Sequence, residues 1–243
     1  MISQEESART LYGDFAPRDL PRYTLAQAAR YARVSPTTVR SWVRGRTYPK
    51  GGASAHSEPL IEVSSDLLSF SHVIEVHVLR ALRRDEDVRM AHLRAAITIA
   101  KERYQIDRPL LSEQLRTGLG ELLLEQYGQL IKLRPSGQLA LRHYFDAHLK
   151  RVEWDPQGWP ALFFPGFVHV TPLPPRDEQT TRLIVVDPGV SFGKPVLASR
   201  KGIRVSAIVS RIDAGEQEEA VARDYGITVL EVNAAIDFYE RAA

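Results

Sequence analysis

Thr37, Arg40, Ser41 and Arg44 stand three and four residues apart, the spacing that gathers side chains on one helical face, and each can donate a hydrogen bond. Such a face suits nucleic acid, because guanidinium groups pair with guanine edges while hydroxyls are less selective between bases. The four lie in a stretch of 37 residues, Pro21 to Ser57, that carries Arg22, Arg30, Arg33, Arg40, Arg44, Arg46 and Lys50 and no Asp or Glu. In a chain with 26% charged residues, so long a run without acid leaves a surface that nothing of its own sign opposes on phosphate. Phosphate neutralisation supplies most nonspecific affinity. The candidate DNA-binding residues are therefore Thr37, Thr38, Arg40, Ser41 and Arg44 at the groove, with Arg46 and Lys50 on phosphates.

The elements that would hold this face are legible around it. Thr24 can cap a first helix by accepting from an unpaired first-turn amide. Leu25, Ala28, Ala29 and Ala32 then form one buried face of mostly small side chains that permits close packing. Ser35 followed by Pro36 marks a second start, a cap and then a proline where its missing N–H costs nothing. Val39, Trp42 and Val43 turn inward from that helix, and Gly45 stops it. Two short helices with a tight turn on a basic stretch predict a helix-turn-helix. Gly51-Gly52, between Tyr48 and the apolar run Leu60-Ile61-Glu62-Val63, predicts a wing that carries Arg46 and Lys50.

Other chemistry is not signalled. His72 and His77 are five apart, as are His143 and His148, so neither pair has the four-residue spacing of two ligands on one helical face. His56, His92 and His169 stand alone. Asp85-Glu86-Asp87 is the usual composition of a helix cap, and no P-loop, dinucleotide fingerprint or nucleophile elbow occurs. The expectation is a protein with no catalytic residue, metal or cofactor.

The 243 residues suffice for two or three small domains, and 44% hydrophobic residues for modest cores. Zero cysteines exclude disulfides and thiolate metal sites and fit a reducing compartment. No apolar run approaches the ~20 residues that span a bilayer, and the first 19 residues lack an apolar signal core. A cytoplasmic protein is expected.

The predicted fold class is mainly α with small β elements, an α+β chain. Residues 1–19 form a flexible start, and 20–108 the winged module with a bracing helix pair. In that pair, Phe70, Val73, Ile74, His77, Val78 and Ala81 make one stripe, and Leu93, Ile97, Ala100 and Tyr104 the other. Residues 109–171 read as a small α+β unit, with a hairpin about Tyr127-Gly128, a helix over 139–152 and an edge strand from Trp159 to Pro165. Residues 172–181 are a proline linker. In 182–243, a short strand Leu183–Val186 ends at the turn Asp187-Pro188-Gly189, and three helices follow over 205–214, 218–225 and 229–239. Gly215 and Gly226 end the first two, and Thr228 with Glu231 makes a capping box for the third. From Asp213 to Arg241 eight acids face only Arg223 and Arg241, a surface that DNA would repel. A helix-turn-helix shape of that charge predicts a protein partner.

The run Asp187-Pro188-Gly189-Val190-Ser191-Phe192-Gly193-Lys194-Pro195-Val196-Leu197, with Gly202-Ile203-Arg204-Val205, Ala214-Gly215-Glu216 and Asp224-Tyr225-Gly226-Ile227-Thr228, resembles a family of small bacterial domains first catalogued without a function. Those domains are regarded as VapB-type antitoxins of VapBC-like toxin–antitoxin modules, whose toxins are PIN-type metal-dependent ribonucleases. Tyr23 to Gly45, Ser69-Phe70-Ser71 and Leu79 to Arg84 are similar to the long members, which place a MerR-like winged module ahead of that domain. Gln217 departs from the family, which favours a better cap such as Ser.

The resemblance implies an antitoxin that binds operator DNA, represses its own operon as a homodimer, and silences a PIN-type ribonuclease by direct contact. Among the cations Arg200, Lys201 and Arg204 of the toxin-binding surface, Arg204, better suited than Lys201 to bidentate carboxylate pairing, would then reach the toxin's metal-binding acids while Glu218 and Glu219 face its basic rim. Two other readings stand beside it. A one-component MerR-like regulator would use Trp154, Trp159, Phe163 and Phe164 to line a central effector pocket, and a scaffold would bind protein alone.

Overall fold

The computed structural model describes residues 16–51, 53–83, 90–112, 149–165 and 182–240. It is a mixed α+β chain of short helices and small two-stranded sheets. Two compact units divide the described residues: 23–51, 53–83, 90–112, 149–150 and 154–160 in the first, and 16–22, 151–153, 161–165 and 182–240 in the second. The expected cap at Asp85–Asp87, the hairpin about Tyr127-Gly128, nearly all of the helix over 139–152 and the proline linker lie outside the described residues.

In the first unit, helix α1 (Leu25–Ala32) begins with a capping box. The Thr24 hydroxyl accepts from the Gln27 amide at 3.2 Å, and the Gln27 side chain accepts from the Thr24 amide at 3.0 Å. Arg33 closes α1 in the left-handed conformation at φ 55°, its amide shared between the Ala29 and Arg30 carbonyls. Helix α2 (Pro36–Arg44) starts on Ser35, whose hydroxyl accepts from the Thr38 amide. Ala28, Ala29, Tyr31 and Ala32 of α1 and Val39, Trp42 and Val43 of α2 are buried. Leu25 is only half-buried, and Tyr31, which the spacing argument left out, takes its place.

Strands β1 (Arg46–Lys50) and β2 (Ala53–Ser57) form an antiparallel hairpin that pairs Arg46 with Ser57 and Lys50 with Ala53. The chain then returns to α2, where the Leu60 and Ile61 amides both donate to the Trp42 carbonyl at 2.7 and 3.1 Å. It crosses to the start of α1, where Leu68 and Tyr23 exchange two backbone hydrogen bonds of 2.7 and 2.9 Å.

Helix α3 (Phe70–Arg83) follows a cap in which the Ser69 hydroxyl accepts from the His72 amide and the His72 ring accepts from the Ser69 amide. Its expected apolar stripe is buried, but so are Ser71, Glu75, Val76, Leu79 and Leu82. A helix buried on nearly every side sits at the centre of the described part of this unit. At one end the Arg80 guanidinium caps the Ala32 carbonyl of α1 at 3.2 Å. Five residues earlier on α3, Arg108 grips the Glu75 carboxylate with hydrogen bonds of 2.7 and 3.3 Å. Burial raises the Glu75 pKa above the ordinary carboxylate value despite that partner. Helix α4 (Met90–Tyr104) and a 3-10 turn at Pro109–Leu111 complete the described part, with Leu93, Ile97 and Ala100 buried and Tyr104 partly exposed.

Strand β3 (Val152–Trp154) pairs with β4 (Pro160–Phe163); in the second unit, which holds Val152, Glu153 and the far end of β4, Phe163 bridges Val186. Strands β5 (Ile184–Val185) and β6 (Val196–Leu197) are antiparallel. The expected turn forms between β5 and β6, with the Asp187 side chain accepting from the Gly189 amide at 2.9 Å. Three helices follow: α5 (Val205–Asp213), α6 (Glu218–Tyr225) and α7 (Val229–Glu240). Val205, Ile208, Val221, Val232, Ala235 and Phe238 bury their common face. Gly226 ends α6 at φ 61°, and Thr228 and Glu231 form the capping box of α7. Gln217 supplies no side-chain cap to α6, whose start is instead stabilised by Glu218 and Glu219 beside the helix's positive end.

Candidate nucleic-acid interface and partner surface

On α2 the core residues Val39, Trp42 and Val43 fix which side faces out. Thr37, Arg40 and Arg44 are exposed there, and Ser41 is half-buried. Two hydroxyls of the expected set are turned to local work: Ser41 donates to the Thr38 carbonyl at 2.8 Å, and Thr38 bonds the Ser35 hydroxyl at 2.8 Å. Among the described residues Thr37 and Arg40 have exposed side chains with no hydrogen-bond partner. Arg46 opens β1, exposed, with its guanidinium 5.6 Å from the Tyr48 ring, and Lys50 closes the strand. Gly45 makes the passage from α2 to β1 at φ 69°, and the Ser57 carbonyl lies so close that a side chain there would collide with it.

Two charged groups at this face escaped the sequence reading. Arg94 of α4 donates to the Glu58 carbonyl just past the hairpin, and burial and the neighbouring Arg46 both lower its pKa. It adds a cation beside the β1–β2 hairpin. Asp66 bonds Arg44 at 2.8 Å, an acid brought to the basic face from beyond the acid-free stretch. Neither is adjacent in sequence to the residues it meets, so no local signal marks them.

The C-terminal surface is organised around several ion pairs. Lys201 pairs with Asp187 at 2.8 Å, and Arg200 donates to the Tyr225 carbonyl at 3.1 Å. Arg204 stands at the start of α5 with an exposed side chain for which the described residues offer no partner. Glu218 is half-exposed and Glu219 exposed in the first turn of α6. Arg211, outside the acidic run, binds Glu216 in two places and Asp224 at 2.7 Å, holding the Glu216 carboxyl below its usual range. The acidic surface is thus smaller than its composition suggests. Glu231 is buried; burial pushes its carboxyl up, but hydrogen bonds from Ser199 and from Thr228 outweigh that and lower it.

Between β5 and β6, Ser191, Phe192 and Gly193 have φ of 49°, 56° and 71°, one left-handed turn. Such a conformation strains residues with a Cβ. The Phe192 ring, 63% exposed, stands out from it. Of the aromatics proposed for an effector pocket, Phe163 is fully buried, Phe164 packs with Val185 and Val196, and Trp159 is partly exposed. Among the described residues no cluster of His, Asp and Glu is placed to hold a metal, and no helix is long and apolar enough to cross a membrane.

Residues 184–239 match a domain family described as "Protein of unknown function (DUF433)". That range holds the β5–β6 turn and the three C-terminal helices. The chain is 27% identical over 239 residues to a Mycobacterium tuberculosis protein named "Putative antitoxin VapB45", covering 90% of this chain and 94% of the relative. It is 24% identical over 223 residues to the uncharacterized protein Rv2308 of the same organism, covering 90% of each. The crystal structure of Rv2018 from Mycobacterium tuberculosis superposes with a TM-score of 0.62 at 23% identity, over 90% of this chain and 99% of that one, so the two share a fold.

Proposed function

We propose that this protein is the antitoxin of a type II toxin–antitoxin module. In this reading the first unit is a winged helix-turn-helix that binds operator DNA and represses its own operon. The second unit binds and silences a PIN-type ribonuclease toxin. The observation that carries the reading is the likeness to VapB45, which extends over 90% of the chain and so spans both units.

The two surfaces are chemically matched to those tasks. Thr37 and Arg40, open on α2, would face the major groove with Arg44, while Arg46, Lys50 and Arg94 would lie along the phosphates. On the other unit Arg204 is the member of the Arg200, Lys201 and Arg204 set that would meet a cluster of metal-binding carboxylates, since among the described residues Lys201 and Arg200 already have partners. Glu218 and Glu219 would oppose the basic rim on which RNA must bind. One short recognition helix offers few base contacts, so a two-fold operator read by a homodimer is expected. The protein supplies no catalytic step; it acts by occupying two charged surfaces.

The experiment is co-expression with the reading frame that adjoins its gene, followed by co-purification and a ribonuclease assay. Stable complex and lost nuclease activity are expected, and Arg204→Ala with Glu218→Lys and Glu219→Lys should shorten the complex lifetime. In parallel, the duplex upstream of the gene should bind the full chain, with Arg40→Ala weakening it by about 1–3 kcal/mol. A neighbour that neither binds nor is inhibited would overturn the antitoxin reading.

A further inference from the structure

We infer that Asp66 is a positioning residue that turns Arg44 from a phosphate contact into a reader of guanine. This inference rests on the DNA-binding reading above. Arg44 ends α2, and its side chain is 56% exposed; that of Asp66 is 96% exposed, and the pair meets through one guanidinium nitrogen and one carboxylate oxygen at 2.8 Å. Exposed ion pairs of this kind contribute little to stability. An acid at a phosphate-facing surface also opposes binding. Its presence needs another reason.

The backbone delivers Asp66 to this place. The segment that carries it leaves from the α2 end, where Ile61 is held by the Trp42 carbonyl, and is pinned at Leu68 by two hydrogen bonds to Tyr23. Within it the Ser65 hydroxyl donates to the Leu67 carbonyl at 2.7 Å and accepts from the Leu67 amide at 3.3 Å. The carboxylate is thus set at the end of α2 by a bracket tied to both helices.

A guanidinium has five donors in a fixed plane. One is used by Asp66, and the others remain for a planar acceptor pair such as the O6 and N7 of guanine. Without that anchor a long flexible arginine takes the nearest phosphate, which carries no sequence information. The carboxylate repels phosphate as well, so wrong sequences are bound less tightly at the same time.

The test uses the full chain and two duplexes, the one upstream of its gene and a scrambled duplex of equal length and composition, titrated at several salt concentrations. Asp66→Ala and Asp66→Asn should each bind the scrambled duplex more tightly, with a salt slope steeper by up to about one unit. They should lose on the order of tenfold in preference for the upstream duplex. Asp66→Glu should recover part of that preference. In the Arg44→Ala background, Asp66→Ala should no longer reduce the preference at all. A wild-type preference that survives in both Asp66→Ala and Asp66→Asn would overturn the inference and leave the DNA-binding reading intact. A wild type that does not distinguish the two duplexes would overturn both.

Discussion

Gly45 links α2 to β1 at φ 69° and ψ −174°, a region of backbone space occupied almost only by glycine. Replacing it with alanine meets two separable costs. Conformational strain there is of order 1–3 kcal/mol. The new Cβ would also stand 2.2 Å from the Ser57 carbonyl oxygen and 3.0 Å from the His56 ring, so the paired end of the hairpin must open. Losing even one ladder hydrogen bond at Arg46↔Ser57 adds about 1 kcal/mol. The expected loss from Gly45→Ala is therefore about 2–4 kcal/mol, a large share of the 5–15 kcal/mol that holds a typical domain together. Gly51 provides the control, since it has φ 58° but nothing within 4 Å of an added Cβ. Gly51→Ala should show only a strain cost, about 1–2 kcal/mol. Urea unfolding followed by circular dichroism measures both. If the two alanines cost the same, the close approach of Ser57 to Gly45 does not govern the α2–hairpin junction and the reasoning fails.

Other expectations follow from the same geometry. Thr24→Ala removes one half of the α1 capping box and should cost about 1 kcal/mol in urea unfolding, while Thr24→Ser should not. Phe192→Gly trades left-handed strain for glycine's greater chain entropy and should stabilise the protein by roughly 0.5–1 kcal/mol, measured as a raised urea midpoint. The lowered carboxyl of Glu231 contributes stability that is present above the ordinary glutamate pKa and is lost as pH falls through the folded value. Glu231→Gln should flatten the acid limb of the stability curve below about pH 4.5. The raised carboxyl of Glu75 has the opposite sign, with its contribution complete below about pH 4.5 and lost as pH climbs through the folded value. Glu75→Gln should therefore flatten the curve on that side, and urea midpoints between about pH 3 and 7 read both effects.

The helices were legible in the sequence wherever their signals were local. Thr24, Ser35-Pro36, Gly226 and the Thr228–Glu231 box each act within one turn of the residues they cap, so spacing alone places α1, α2, α6 and α7. What escaped was long-range. Asp66 reaches Arg44 across 22 positions, Arg108 reaches Glu75 across 33, and Arg211 takes Asp224 out of the acidic run across 13. Charge counting along a window cannot see such partners. Strands β5 and β6 have two residues each, too few to show a period, and β6 went unread. Phe163 and Phe164 suggested a pocket by composition, whereas Phe163 closes a bridge to Val186 and both rings serve the second unit's core.

Helix α3 has almost no solvent side from Phe70 to Leu82, and polar residues such as Ser71, Glu75 and His77 are enclosed with the apolar ones. An ordinary surface helix can drift by exchanging residues on its wet face and can roll slightly to absorb a change on its dry one. Neither freedom exists here, because a roll that relieves one neighbour crowds another in an interior packed to crystal density. Glu75 and Arg80 sit about 7.5 Å apart along the same axis, one gripping Arg108 and the other holding the end of α1. Over evolutionary time this helix can change only by compensated exchanges, a residue and its enclosing neighbour together. A helix enclosed in this way thereby has less liberty to vary than one with a free face.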